Sequence, residues 1–328
     1  MSASDHRDRS ADILAHLRRR ERWRWWEAAF WLALLAAILV FPSHAALVNE
    51  ALVYGLFALS IDLILGLAGI VTLGQAAFFG LGAYAAGILA NAGYDDPLLG
   101  LAAAVVPAAG VGLVTAPLLL RGADLTRLMV TMGVALMLGE LANKFDGLTG
   151  GADGLNFTVA PLFGRFSLGA MGEGPRNAAL FSFAVLFALF VLARRIKSSP
   201  FGLSLAGLRE NRLRAGALGV ATSWRIVAIY AVAAAYAGVA GALIAETTQI
   251  ASLDLFAFHR SADTLLMLII GGVGWLYGGL IGAGVFIVIR DVVSAATPEY
   301  WEFWIGLMLV ALVLTGRDRL AALIGLRK

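Results

Sequence analysis

Ten runs of predominantly apolar residues divide this chain, and nearly all of its charge lies in the connections between them. A hydrocarbon core about 30 Å thick needs about 20 apolar residues per helix. By that measure the candidate spans are 27–41, 46–67, 71–91, 98–120, 128–143, 178–193, 226–245, 264–274, 277–293 and 301–315. The eighth is too short to cross alone and reads as half of a broken or re-entrant element. The short alternating segments of a membrane β-barrel are missing from the pattern. Apolar residues make up 60% of the chain and charged residues 14%, against about 45–50% and about 25% in soluble domains. Lipid is therefore the solvent for most of the molecule, which excludes a soluble enzyme, a secreted disulfide scaffold and a disordered chain. With no cysteine, thiolate metal sites and cysteine nucleophiles are excluded too.

The basic residues orient the spans. Seven arginines precede the first span, Arg121 and Arg127 follow the fourth, seven Lys or Arg lie between the sixth and seventh, and four close the chain. With ten crossings and an inner N-terminus, these twenty of the twenty-five Lys and Arg fall on the cytoplasmic side, as the positive-inside rule requires. This bias accounts for the net charge of +3 without nucleic acid. The expected fold is an all-α integral membrane protein of about ten transmembrane or broken helices with cytoplasmic termini. Its parts are a basic interfacial segment (1–26), a polytopic membrane domain (27–316) and a cytoplasmic tail (317–328). Within the membrane domain a cytoplasmic loop covers 194–225 and an outer loop 144–177. Trp23, Trp25 and Trp26 among the arginines favour a retained interfacial anchor over a cleaved signal, although Ser43-His44-Ala45 loosely resembles a cleavage site.

Catalytic signatures are missing: no P-loop, G-x-S-x-G, H-E-x-x-H or G-x-G-x-x-G occurs, and the four histidines are scattered. If ATP drives this protein, another chain hydrolyses it, so no cofactor is expected here. Three features bear on transport instead. Glycine clusters at 66–87 and 271–284 serve close helix packing or unwound backbone beside a substrate path. Their placement in the two halves of the chain hints at an internal repeat. Gly274, Gly278 and Gly282 would share one helix face, as would Ala234, Gly238 and Ala242. Asp62 and Glu140 lie inside apolar spans, where a charge costs about 2.5–3.5 kcal/mol on insertion scales. Each should therefore face protein or water, and either would serve a proton-coupled carrier. Glu50 and Glu246, near span ends, read as interfacial. In the loop 194–225, Pro200-Phe201-Gly202 predicts a turn, followed by one or two short amphipathic helices broken by Gly216 and Gly219. That pattern suits a solvated basic loop or a handle for a soluble partner.

The stretch SPFGLSLAGLRENRLRAGALGV (199–220) resembles the coupling segment of LivM-type permeases, the branched-chain amino-acid members of the ABC importers. Three further blocks are similar and stand in family order: LGLAGIVTLGQAAFFGLGAYAAGIL (65–89), LTGGADGL (148–155) and LLMLIIGGVGWLYGGLIGAG (265–284). The resemblance implies that Arg209, Glu210, Asn211, Arg214, Ala215 and Gly219 dock on a cytoplasmic ATPase. It implies that Thr149, Gly150, Gly151, Asp153 and Gly154 lie near the site receiving a periplasmic binding protein. Thr72, Gly74 and Gln75 would flank the pathway on a broken helix, with Asp62 and Glu140 as further pathway candidates. Gln75 stands where the family often has histidine, and Gly122-Ala123-Asp124-Leu125 replaces a common glycine-tyrosine-phenylalanine stretch. The implied assembly comprises a LivH-like second permease, two ATPase subunits and a periplasmic binding protein in a bacterial inner membrane. Its substrates would be branched-chain or related amino acids, or alternatively urea or short amides.

Overall fold

The computed structural model describes residues 24–120, 124–162, 164, 166–169, 173–296, 300, 303, 304, 306 and 307. The basic segment up to residue 23, Arg121, Gly122, Ala123, most of the span 301–315 and the tail 317–328 lie outside these. The long helices are α1 (Trp25–Val40), α2 (Ala45–Ala68), α3 (Gln75–Asn91), α4 (Pro97–Leu120) and α5 (Asp124–Lys144). A short α6 (Asp146–Thr149) precedes α7 (Gly174–Ser198). Then come α8 (Pro200–Glu210), α9 (Arg212–Ala217), α10 (Thr222–Thr248), α11 (Phe258–Gly271) and α12 (Tyr277–Ala296). Helices α2, α4, α5, α7, α10 and α12 are each long and apolar enough to cross a membrane.

Two boundaries differ from the sequence reading for local reasons. The span expected from residue 71 becomes helical only at Gln75. Gly69 closes α2 in the left-handed conformation (φ 69°), and the chain runs unwound from there to Gly74. The half-length run at 264–274 is the apolar end of α11, which begins earlier, at Phe258, and reaches only 14 residues. Gly274 does not join the expected stripe with Gly278 and Gly282. It sits at φ 81° in the turn between α11 and α12, a region that penalises any residue with a Cβ. Nothing in the apolar pattern predicts a strand pair, yet β1 (Leu155–Asn156) and β2 (Ile250–Ala251) form a small antiparallel ladder, Leu155 opposite Ala251.

Helices α2 and α10 form the buried centre. Small residues let α10 press between α3 and α4. A Cβ on Gly82 would strike the Gly238 backbone, one on Gly241 the Phe79 carbonyl, and one on Gly112 would come within 2.7 Å of the Ala234 methyl. The α11–α12 hairpin closes the same way, with Gly282 against the Met267 carbonyl and Gly271 against Gly278. Without a hydrophobic force between helices in lipid, such backbone approach is a main source of association. Helix α1 docks by aromatic contacts, with Trp31 edge-on to Phe187 and Phe190 at 5.0 and 5.1 Å. A buried Glu27–Arg194 ion pair joins α1 to α7.

Gly82→Ala and Gly241→Ala each force backbone apart, and each should cost about 1–3 kcal/mol as overpacked sites do. A lowered thermal unfolding midpoint in detergent would register this. Gly284→Ala, whose Cβ would enter open space, should leave the midpoint unchanged.

Candidate functional site

Two helices with side-chain caps make up the connection 199–221. Ser199 Oγ accepts from Gly202 N at 3.2 Å and starts α8; Asn211 Oδ1 accepts from Arg214 N at 2.9 Å and starts α9. Such caps hold short helices that would fray alone. Pro200-Phe201-Gly202 is thus the first turn of α8, Pro occupying its favoured N-terminal position, and no separate turn precedes the helix. Gly216 lies within α9, while Gly219 (φ 83°) ends the segment. Leu205, Leu208 and Ala215 are buried against the bundle. On the opposite side Glu210, Asn211, Arg214 and Gly219 are exposed, beside Leu213 and Leu218 at 88% and 78% exposure. Two leucines so far in the open make an apolar patch rimmed by charge, the composition of a protein contact.

Arg209 differs from its neighbours. Although largely exposed, it turns toward the bundle, and its Nη1 donates to the Gly66 carbonyl near the end of α2 at 2.7 Å. Its stem lies across Gly69, where a Cβ would come within 2.8 Å of Arg209 Cγ. The same junction holds the α11–α12 turn. Asp62 Oδ1 accepts from Gly274 N at 2.6 Å, and Lys197 Nζ donates to the Gly274 carbonyl at 2.6 Å. Asp62 is 1% exposed and within electrostatic reach of Lys197 and Arg209. The intramembrane acid therefore serves the architecture. Together with two cations it fastens α2, α7, α8 and the α11–α12 turn at one end of the bundle.

Thr72 and Gly74 lie in the unwound stretch, and Gln75 opens the helix that follows it. Side chains of other helices take up its backbone groups: Ser261 Oγ accepts from Ala76 N at 2.8 Å, and Thr131 Oγ1 from Leu73 N at 3.4 Å. Thr72 faces the Tyr230 hydroxyl, which also meets Thr115. The Gln75 side chain is fully buried, and neither polar atom has a hydrogen-bond partner among the described residues. An unsatisfied buried amide is costly. Glu140 is apart from this group, on the exposed face of α5.

The outer-loop block owes its glycines to backbone shape. Gly150, Gly151 and Gly154 have φ of 74°, 55° and 74°, and a Cβ on Gly154 would come within 2.9 Å of the Ala251 carbonyl. Thr149 is buried, its hydroxyl donating to the Ala142 carbonyl at 2.6 Å, while Asp153 is exposed. Nearby, at the end opposite α8, a cavity of about 600 Å³ opens between α2, α7, α10 and α11. Its charged lining residues are Glu50 and Arg260, which the sequence reading did not group. Glu246, also read as interfacial, is 1% exposed and lies against Gly100 of α4. Among the described residues no cluster of His, Asp and Glu would hold a metal ion.

Residues 43–313 match the family model described as branched-chain amino acid transport system / permease component. The chain is also 27% identical over 314 residues to the LivM high-affinity branched-chain amino acid transport system permease proteins of Salmonella typhimurium and Escherichia coli, an alignment covering 87% of this chain and 72% of each relative. No solved structure matches it. The capped α8–α9 pair, the glycine-packed bundle and a family match across most of its length together make this chain a member of the branched-chain amino acid transport permease family, a membrane subunit of the ABC type.

Proposed function

We propose that the chain is one of two permease subunits of an importer for branched-chain or closely related amino acids in a bacterial inner membrane. In this reading about ten transmembrane or broken helices make up the membrane domain, both termini are cytoplasmic, and the two glycine-rich regions derive from an internal repeat. A LivH-like subunit completes the path, two ATPase subunits sit on the cytoplasmic face, and a periplasmic binding protein delivers substrate to the outer loop 144–177. The basic segment 1–26 lies along the inner leaflet and 317–328 forms a tail.

The observation that carries the reading is the α8–α9 unit, with one face buried on the bundle and the other presenting Leu213, Leu218, Glu210 and Arg214 to solvent. That exposed face, with Asn211 and the Gly219 bend, would sit in a cleft of the ATPase, and Ala215 would brace it from beneath. Arg209 would then act inward, carrying displacement of α8 into α2 through the Gly66 carbonyl and into the α11–α12 turn beside Gly274. Thr72, Gly74 and Gln75 are the pathway residues we favour, since an unsatisfied carboxamide next to unwound backbone offers both a donor and an acceptor to a polar solute. Asp62 moves from the pathway to the transmission joint. Glu140, on the exposed face of α5, would meet the second permease or the path between them, because lipid is a poor neighbour for an acid. Asp153 is the exposed polar candidate for contact with the binding protein.

Affinity purification of the chain from its native membrane tests the assembly: a second permease and an ATPase should co-purify, and isolation of a lone polypeptide that concentrates solute without ATP would refute it. Within a reconstituted assembly, Glu210→Ala and Arg214→Ala should abolish uptake while the protein remains inserted. Arg209→Ala should instead retain the ATPase but lower amino acid transported per ATP by about tenfold or more, the worth of one charged hydrogen bond. Transport and ATPase assays on the same proteoliposomes separate the two outcomes.

A further inference from the structure

The cavity at the end opposite α8 has a charge pattern that packing does not require. Glu50 of α2 receives Arg290 Nη2 of α12 at 2.6 Å, and the two side chains keep exposures of 29% and 26%. Arg260 of α11 bonds Asp254 and the Tyr54 hydroxyl. Tyr54 stands one helical turn from Glu50, so the two share a face of α2, and the charges of Glu50, Arg260 and Arg290 all reach it. An acid and a base thus flank Tyr54 at the cavity wall, each held by a partner that spares it the cost of an isolated buried charge. The remaining wall is largely aliphatic, including Ile244 and Leu255. The floor is tied across three helices: Asn49 Nδ2 donates to Thr247 Oγ1 at 3.1 Å and Asn49 Oδ1 accepts from Ser182 Oγ at 2.6 Å.

We propose that this cavity is a binding site for a free zwitterionic α-amino acid, with Glu50 facing the ammonium, Arg260 the carboxylate, and Ile244 and Leu255 the aliphatic side chain. Glu50 and Asp254 balance Arg260 and Arg290, so a solute of zero net charge with separated ends finds a match at each. A solute carrying only one of the two charges forfeits one of the two charge-assisted contacts. The volume of about 600 Å³ lies within the range of small-molecule sites, about 300–1,000 Å³. The proposal rests on the reading of the chain as an amino-acid permease and adds a selective station within the membrane subunit itself, beyond the selection made by a delivery protein.

The test uses the complete assembly of permeases and ATPases in nanodiscs, without binding protein, and equilibrium binding of radiolabelled L-leucine with and without ATP. In the native protein, unlabelled leucine should compete, whereas 4-methylpentanoate, lacking the amine, and 3-methylbutylamine, lacking the carboxylate, should compete at least about tenfold more weakly, the loss expected for one charged contact. Glu50→Gln should weaken leucine and remove its advantage over 4-methylpentanoate. Arg260→Gln should remove its advantage over 3-methylbutylamine. The native competition series stands even if a variant fails to fold. Absent leucine binding, equal competition by all three solutes, or variants that impair only capture of the binding protein would each overturn the cavity assignment. Uptake driven by ATP and dependent on the binding protein, measured after reconstituting the same purified assembly into proteoliposomes, keeps the two readings distinct. Uptake without leucine binding refutes the cavity alone; uptake that ignores ATP refutes the permease reading and the cavity with it.

Discussion

Inside a bilayer no water satisfies a backbone amide or carbonyl, so every break in a helix must be met by protein. This chain has two prominent breaks, the unwound stretch ending at Gly74 and the turn containing Gly274, and several of its polar side chains serve them. Ser261 and Thr131 receive amides at the first. Asp62 receives, and Lys197 donates to, the backbone of Gly274 at the second. Arg209 caps the end of α2 through Gly66. Asp62, an intramembrane acid that looks too costly in sequence, thus helps to close an irregular place of the fold. Gln75 remains as a buried amide with no such duty among the described residues.

Much of the architecture was legible because the lipid imposes one simple rule on length and polarity. The cores of α2, α4, α7, α10 and α12 fall where apolar runs stand, and Gly219 bends where expected. Ends were less legible. Polar first turns such as Phe258–Asp263 in α11 and Gly174–Asn177 in α7 extend helices into zones that hydropathy treats as loops. Gly69 and Gly74 lie in an otherwise apolar stretch, so hydropathy alone runs straight across the break between α2 and α3. Gly274 illustrates the converse: spacing of four placed it with Gly278 and Gly282, but periodicity carries no information on φ.

The candidate sites divide in the same way. The exposed polar positions of α8 and α9 were readable from amphipathic alternation, since one buried stripe fixes the other face. The inward turn of Arg209 was not, because its acceptor is a main-chain carbonyl 143 positions away that no residue type advertises. The partner of Glu50 lies 240 positions away, and that of Glu27 lies 167 away; such pairs become visible only when the topology brings helices together. Glu246 failed for a related reason. Proximity to a span end implied solvent, but Gly100 lets α4 approach closely enough to bury it.

One helix connects the proposed coupling joint with the proposed binding cavity. Asp62 and Gly66 of α2 meet the α11–α12 turn and Arg209, while Glu50 and Tyr54 of the same helix meet Arg290 of α12 and Arg260 of α11. Glu50 and Asp62 are twelve residues apart, about 18 Å along the axis. Helix α2 is thus fastened to the α11–α12 hairpin at both levels by charged contacts, and between them Gly279 packs so closely on Ala58 that an added Cβ would come within 3.0 Å of the Ala58 methyl. Close-packed interiors transmit strain, so in the proposed coupling α2 and the hairpin would move as one body. A push on Arg209 from α8 would then arrive at the cavity wall as displacement of Glu50 and Arg260 together, altering the access to the cavity while preserving the spacing of its two charges.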